Sequence, residues 1–203
     1  MERRTFLKSL IYSATAVIAA SLPYAVARII APGYASKYQN HLRPPGALAD
    51  DEKFIAACIG CGMCGEICPP KCIKFDKNRG ANQINTPYID PEIKACTLCA
   101  KCMDVCPTEA LVKTEREDVK MGIAQIDRLA CYPWVDRGVC GACVTICPLG
   151  DKAIKFDFAN IYRPSIVESG CVGCGLCVEV CPHPSLPIRV VEPTAGTVML
   201  HRV

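Results

Sequence analysis

The chain has 203 residues, 51% of them hydrophobic but only 6% aromatic, with one tryptophan and 17 cysteines. Apolar burial is therefore excluded as the whole source of stability, and the odd cysteine count excludes complete disulfide pairing. The formal charge of +3 comes without any run of lysine and arginine interleaved with aromatics, which argues against nucleic-acid binding.

The N-terminus reads as an address. Arg3 and Arg4 are followed by Thr5-Phe6-Leu7-Lys8 and by a mildly apolar stretch from Leu10 to Ala27, the pattern of a twin-arginine export signal. Ala25-Val26-Ala27 offers a small-x-small cleavage site, yet a helix of this length would span roughly 27 Å, enough to cross a bilayer. Arg3, Arg4 and Lys8 would keep the N-terminus cytoplasmic and direct the rest outward. The expectation is a transmembrane or signal helix over residues 1–31, retained as an uncleaved anchor on the periplasmic side of the cytoplasmic membrane. Residues 32–53, with Pro32-Gly33 and Pro44-Pro45-Gly46, read as a linker. Asp50 or Asp51 is placed to cap a short helix through Phe54, Ile55 and Ala57, opening a folded domain over 54–203.

Four cysteine runs carry the chemistry. Cys58, Cys61, Cys64 and Cys68 stand at x2, x2, x3 spacing before Pro69; Cys96, Cys99, Cys102 and Cys106 repeat this before Pro107, as do Cys171, Cys174, Cys177 and Cys181 before Pro182. Cys131, Cys140, Cys143 and Cys147, before Pro148, differ by an x8 first gap. This is the bacterial ferredoxin pattern, in which three close cysteines hold one four-iron cubane and the fourth reaches the neighbouring cluster. Two-residue gaps let a tight loop aim three sulfurs at three corners of one cube. The x3 gap sets the fourth about one helical turn away, and the proline then stops the helix. Zinc ribbons use well-separated CxxC pairs and have no use for four cysteines within eleven residues; cysteines two residues apart on a tight loop are poorly placed for disulfides. Sixteen thiolates suit four [4Fe-4S] clusters, which would move the formal charge from +3 to about −5.

The seventeenth cysteine is Cys72. Aligning Cys68-Pro-Pro-Lys-Cys72 with Cys106-Pro-Thr-Glu-Ala110 sets it at a small buried position beside a cluster, where it reads first as a small hydrophobe and second as a replacement ligand or redox-sensitive thiol. A β-type segment follows each run (Ile73–Asp76, Ala110–Thr114, Ala153–Phe158, Ile188–Glu192), and short apolar segments such as Ile123–Leu129 and Pro164–Val167 precede others. The fold class predicted is α+β, a doubled ferredoxin-like four-cluster polyferredoxin domain. The first and fourth runs are the closest pair, sharing eight of twelve positions.

The twin-arginine start, Arg43-Pro-Pro-Gly-Ala-Leu48, Thr86-Pro-Tyr88, Met121-Gly-Ile-Ala124 and four runs in this order together resemble the NapG/MauM ferredoxin-type proteins over nearly the whole chain. The resemblance implies a membrane-tethered periplasmic protein that relays electrons from quinol, through a NapH-like polytopic membrane iron-sulfur partner, to a periplasmic multihaem cytochrome or reductase. The second run departs from the nitrate-reductase branch in its x2 gap between Cys99 and Cys102, leaving the acceptor open between those two. The alternative reading is the electron-transfer subunit of a larger molybdenum-type oxidoreductase. Related four-cluster subunits nest their runs, first with fourth and second with third. Carried over, Cys58, Cys61 and Cys64 would join Cys181; Cys171, Cys174 and Cys177 would join Cys68; Cys96, Cys99 and Cys102 would join Cys147; and Cys131, Cys140 and Cys143 would join Cys106. The linkers between consecutive runs are of similar length, so sequential pairing stays open.

Tyr132, Trp134 and Arg137 lie in the x8 insertion, where they either cover a cluster or dock a partner. His41, His183 and His201 are scattered. No Ser/His/Asp grouping, phosphate-binding loop or Rossmann fingerprint occurs, so the chain is not expected to be an enzyme on its own.

Overall fold

The computed structural model describes residues 41–77, 84–157 and 162–191. All belong to Asn40–Val203, one of two units into which the chain divides. The helix expected over 1–31 lies outside the described residues, as does His201; among the described residues no helix is long and apolar enough to cross a membrane.

The elements are short. Helices α1 (Asp51–Ala57), α2 (Met63–Ile67), α3 (Lys101–Asp104), α4 (Ala142–Ile146) and α5 (Leu176–Glu179) alternate with strands β1 (Ile73–Phe75), β2 (Pro87–Ile89), β3 (Ile123–Ile126), β4 (Ile154–Asp157), β5 (Arg163–Ile166) and β6 (Ile188–Val191). Asp50 caps α1 by accepting from the Glu52 and Lys53 backbone N–H groups, and the helix buries Phe54 completely. Each of the other helices starts inside a cysteine run and ends two or three residues before that run's proline, which explains lengths of four or five residues.

Two similar halves follow from the strand pairing. In the first, the antiparallel hairpin β1–β2 (Ile73↔Ile89, Phe75↔Pro87) separates the first two runs, and the entering chain meets the leaving chain at an Ala47↔Leu111 bridge. In the second, hairpin β4–β5 (Ile154↔Ile166, Asp157↔Arg163) separates the last two runs, and entering strand β3 pairs with leaving strand β6 from Ile123↔Val191 to Ile126↔Ile188. One aromatic of each hairpin lies against a glycine of the preceding run: a Cβ on Gly65 would come within 2.6 Å of the Phe75 ring, and one on Gly141 within 2.6 Å of the Phe156 ring.

The expectation of a linker over 32–53 fails for residues 41–53, which are built into the fold. Leu42 is 1% exposed and exchanges backbone hydrogen bonds of 2.8 and 2.7 Å with Ile89. The Pro45-Gly46 pair sits at the centre of a β-turn closed by the Ala47 N–H on the Pro44 carbonyl at 3.2 Å. Gly46 takes a φ of 77°, and a Cβ there would lie 2.3 Å from the Val112 carbonyl oxygen. Proline and glycine thus mark a tight turn against the core, with proline at the second position and glycine at the third. The strand expected over Ala110–Thr114 reduces to the single bridge at Leu111, and β2 was not expected at all.

The halves meet closely. The Cys96 N–H donates to the Cys174 carbonyl at 3.0 Å and the Met121 N–H to the Val172 carbonyl at 3.0 Å. The Glu179 carboxylate accepts from the Ala95 N–H at 2.7 Å and pairs with Lys94. At this seam a Cβ on Gly173 would stand 2.5 Å from Gly122 backbone atoms, so only glycine allows the approach. The core joins both halves: Ile73, Ile89, Met103 and Leu111 with Met121, Val172, Val178 and Ile188, and the cysteines Cys68, Cys72, Cys96, Cys102 and Cys174 are embedded among them.

Candidate iron-sulfur centres

The sixteen motif cysteines gather around four cavities, here A to D. Cys58, Cys61, Cys64 and Cys106 line cavity A, with about 370 Å³ of open space. Cys96, Cys99, Cys102 and Cys68 line cavity B, of about 270 Å³, together with Cys72. Cys171, Cys174, Cys177 and Cys147 line cavity C, of about 400 Å³, and Cys131, Cys140, Cys143 and Cys181 line cavity D, of about 410 Å³. In every case three cysteines come from one run and the fourth from the last position of its sequence neighbour. The nested pairing carried over from related subunits is thereby corrected to a sequential one, first run with second and third with fourth. The cause is local: the hairpin between two runs folds them face to face, α2 packing on α3 and α4 on α5.

Backbone geometry aims the sulfurs. The second residue after the first cysteine and the fourth residue after it both adopt positive φ in three runs: Gly60 (64°) and Gly62 (80°), Leu98 (55°) and Ala100 (64°), Gly173 (72°) and Gly175 (83°). Glycine takes this conformation freely, whereas Leu98 and Ala100 take it at a cost of about 1 kcal/mol each. Retaining it in the second run without glycine shows that the loop shape is required by the sulfur positions. N–H groups reach sulfur from these loops and from the neighbouring strand: Leu98 to Cys96 Sγ at 3.4 Å and Ala124 to Cys171 Sγ at 3.4 Å.

Several of the thiols are held in surroundings that oppose the bare thiolate. Burial pushes Cys64 from an ordinary value of 9.0 up to about 11, Cys102 to about 12, Cys143 to about 12 and Cys174 to about 11, and neighbouring thiolates add to the rise. Cys106 goes the other way: burial opposes its ionisation, but the N–H groups of Thr108, Leu111 and Ala110 and the Thr108 hydroxyl together outweigh it. Cys72 and Cys96 form a coupled pair, in which the Cys72 thiol donates to Cys96, so that Cys72 is held well above its ordinary value and Cys96 below. Four sulfurs that repel one another in a largely apolar pocket fit a cationic, thiophilic guest. Among the described residues no three His, Cys, Asp or Glu side chains are arranged for a single metal ion. A cubane presents four separate iron corners, so its ligands need not converge on one point.

The cavities adjoin in a row. Cys64 of cavity A lies within electrostatic reach of Cys102 of cavity B; Cys96 of B is hydrogen bonded through its backbone to Cys174 of C; Cys143 lines both C and D. The order is A, B, C, D, with A and D at the ends.

The x8 insertion covers end D. Pro133 is fully buried, Trp134 Nε1 donates to the Pro164 carbonyl at 3.0 Å, and the Trp134 ring lies under the Arg128 and Arg163 guanidinium groups at 4.3 and 5.3 Å. Arg163 also donates to the Pro133 carbonyl at 3.2 Å and pairs with Asp136 at 2.8 Å. Tyr132 and His183, both lining cavity D, are in ring contact at 4.5 Å, and His183 Nδ1 accepts from the Ser185 N–H at 3.1 Å. Tyr132 and Pro133 thus line the cavity, Trp134 is held beside them by Pro164 and the two arginines, and Arg137 is exposed. His41 lies apart, stacked on Tyr88 at 3.7 Å.

The 4Fe-4S dicluster domain model matches the chain three times, over residues 57–110, 95–150 and 138–185. The first match falls within the first half, and the last falls within the second, beginning after Cys131. The chain is 31% identical over 166 residues to the methylamine utilization ferredoxin-type protein MauM of Paracoccus denitrificans, covering 76% of this chain and 73% of that protein. It is 34% identical to MauM of Methylophilus methylotrophus over 166 residues, 76% and 72% of the two chains. With the ferredoxin-type protein NapG of Haemophilus influenzae it shares 29% identity over 173 residues, 78% of this chain but 61% of that one; it thus spans less than two thirds of that relative's length.

Proposed function

We propose, from the premise that the chain belongs to the NapG/MauM ferredoxin-type proteins and to the 4Fe-4S dicluster domain family, that it is a four-cluster electron relay between membrane quinol and a periplasmic acceptor. The observation that carries this is the row of four cysteine-lined cavities, each offering four thiolates and each adjoining the next. A [4Fe-4S] cluster, when bound, takes up and releases one electron at a time without a proton. The protein's part is to hold it: three cysteines of one run and one of the neighbouring run would supply the ligands, N–H groups such as those of Leu98 and Ala124 point at cysteine sulfur, and Tyr132 and Pro133 line cavity D and keep water from it. Such hydrogen bonds and burial are the means by which a chain sets cluster potentials.

Quinol oxidation yields two electrons and two protons, whereas the four cavities are suited to electrons alone. The quinol site is therefore assigned to a NapH-like polytopic membrane iron-sulfur partner, and the acceptor to a periplasmic multihaem cytochrome or reductase. A menaquinol analogue should reduce clusters rapidly in the reconstituted complex and not in the isolated soluble unit, as followed by visible absorbance and EPR. Rapid reduction of the isolated unit would sink the relay reading.

The reading also sets the protein on the periplasmic side of the membrane, held by the N-terminal helix. A cluster-loaded chain must be exported folded, which the twin-arginine route permits. Arg3→Lys combined with Arg4→Lys should strand it in the cytoplasm; iron-loaded protein in the periplasm of that double variant would count against this placement.

A further inference from the structure

Cavity B holds five thiols where its neighbour A holds four. Cys72 is 1% exposed, and its Sγ lies 3.5 Å from Cys68 Sγ. A turn closed by the Lys71 N–H on the Cys68 carbonyl at 3.1 Å brings it there, with Lys71 at a φ of 52°. The second run repeats the arrangement without the sulfur. Glu109 takes a φ of 57°, Ala110 is 2% exposed, and Ala110 lines cavity A beside Cys106 as Cys72 lines cavity B beside Cys68. The same backbone therefore delivers a fourth-residue side chain to the wall of both cavities, and only in B does it end in a ligand atom.

We propose that Cys72 is a reserve ligand of cavity B, able to take the iron corner that Cys68 holds. This rests on the reading that the cavity houses a cubane. The exchange forms one Fe–S bond at Cys72 and breaks the one at Cys68; the Cys72 thiol proton passes to the leaving Cys68 thiolate 3.5 Å away, or to solvent where Cys68 is absent, and no oxidation state changes. A soft sulfur already within van der Waals contact of the departing ligand is placed to take over the corner by a side-chain rotation.

The test compares iron content and EPR spectra of purified variants with those of the unaltered chain. Cys68→Ala should retain about sixteen irons, with one cluster's EPR signal altered, while Cys68→Ala/Cys72→Ala should lose one cluster or leave a three-iron species. Cys106→Ala, which has no reserve thiol, should behave like that double variant, and Cys106→Ala/Ala110→Cys should regain the lost cluster. Equal losses in Cys68→Ala and Cys68→Ala/Cys72→Ala would overturn the proposal. Should Cys68→Ala yield no folded protein, Cys68→Ser against Cys68→Ser/Cys72→Ala makes the same comparison, and equal iron in those two would overturn it as well. Iron in the unaltered chain reports separately on the four-cluster reading, while the differences between variants report on Cys72.

Discussion

Replacing Cys61 and Cys106 together by alanine is expected to cost one cluster, whereas replacing Cys61 and Cys181 together should cost two. Cys61 and Cys106 line the same cavity, so the second substitution falls on a site already broken and adds little. Cys181 lines cavity D, and its loss is independent. From a starting content of about sixteen irons, the first pair should leave about twelve and the second about eight. Nested pairing makes the opposite forecast, since it puts Cys61 and Cys181 on one cluster. Iron analysis with Mössbauer spectroscopy separates the two arrangements, and about eight irons in the Cys61/Cys106 variant would refute the sequential arrangement. Cys61 suits the test because it is exposed, so its replacement leaves no buried void to confuse lost iron with lost folding.

Local features were legible in the sequence because local chemistry determines them. The Asp50-Asp51 pair announced the α1 cap without saying which of the two supplies it, and the β segments at Ile73, Ile154 and Ile188 were visible from their apolar residues after three of the runs. The pairing of runs was not legible, because all four end in the same cysteine-proline step and none of the fourth cysteines carries a mark of its partner. What decides it is the hairpin between neighbouring runs, and one strand of the first hairpin, Pro87–Ile89, begins with a proline and is three residues long, too short for an alternation signal. Likeness between the first and fourth runs pointed the wrong way: both use Gly-Cys-Gly to reach the same positive φ values, so the similarity reports loop geometry and not contact. The Pro44-Pro45-Gly46 stretch misled for a related reason, since composition does not distinguish a mobile linker from a turn whose glycine is pressed against Val112. Cys72 was expected to be small and buried beside a cluster; its 3.5 Å approach to Cys68 depends on the Lys71 turn and could not be read from spacing.

Removing the iron should unfold the Asn40–Val203 unit, the largest effect expected of any treatment. The described helices run from four to seven residues, well below the length that is stable alone, and each named sheet has two strands, which is marginal without a covering core. That core includes motif cysteines themselves, Cys68, Cys96, Cys102 and Cys174 being buried within it. Metal-ligand bonding in structural sites contributes on the order of 10 kcal/mol per site, comparable to the whole stability of an ordinary domain. Four such sites lost together leave nothing to offset the chain entropy. The thiols fix the pH dependence of whatever compact form survives. Cys64 and Cys174 ionise near 11 and Cys102 and Cys143 near 12 in the folded chain, against about 9 when unfolded, because burial disfavours the thiolate. Their contribution is thus fully present below pH 9 and is lost as pH rises from about 9 towards 12, where the unfolded chain sheds these protons first. Iron-loaded protein has no such protons to lose and should be insensitive across that window. Anaerobic stripping by a chelator, followed by circular dichroism at pH 7 and pH 10, should show lost cooperative melting at both and less residual structure at the higher pH. An iron-free chain that melts within a few degrees of the loaded protein, or that gains structure between pH 9 and 11, would show that the polypeptide and not the clusters holds the fold.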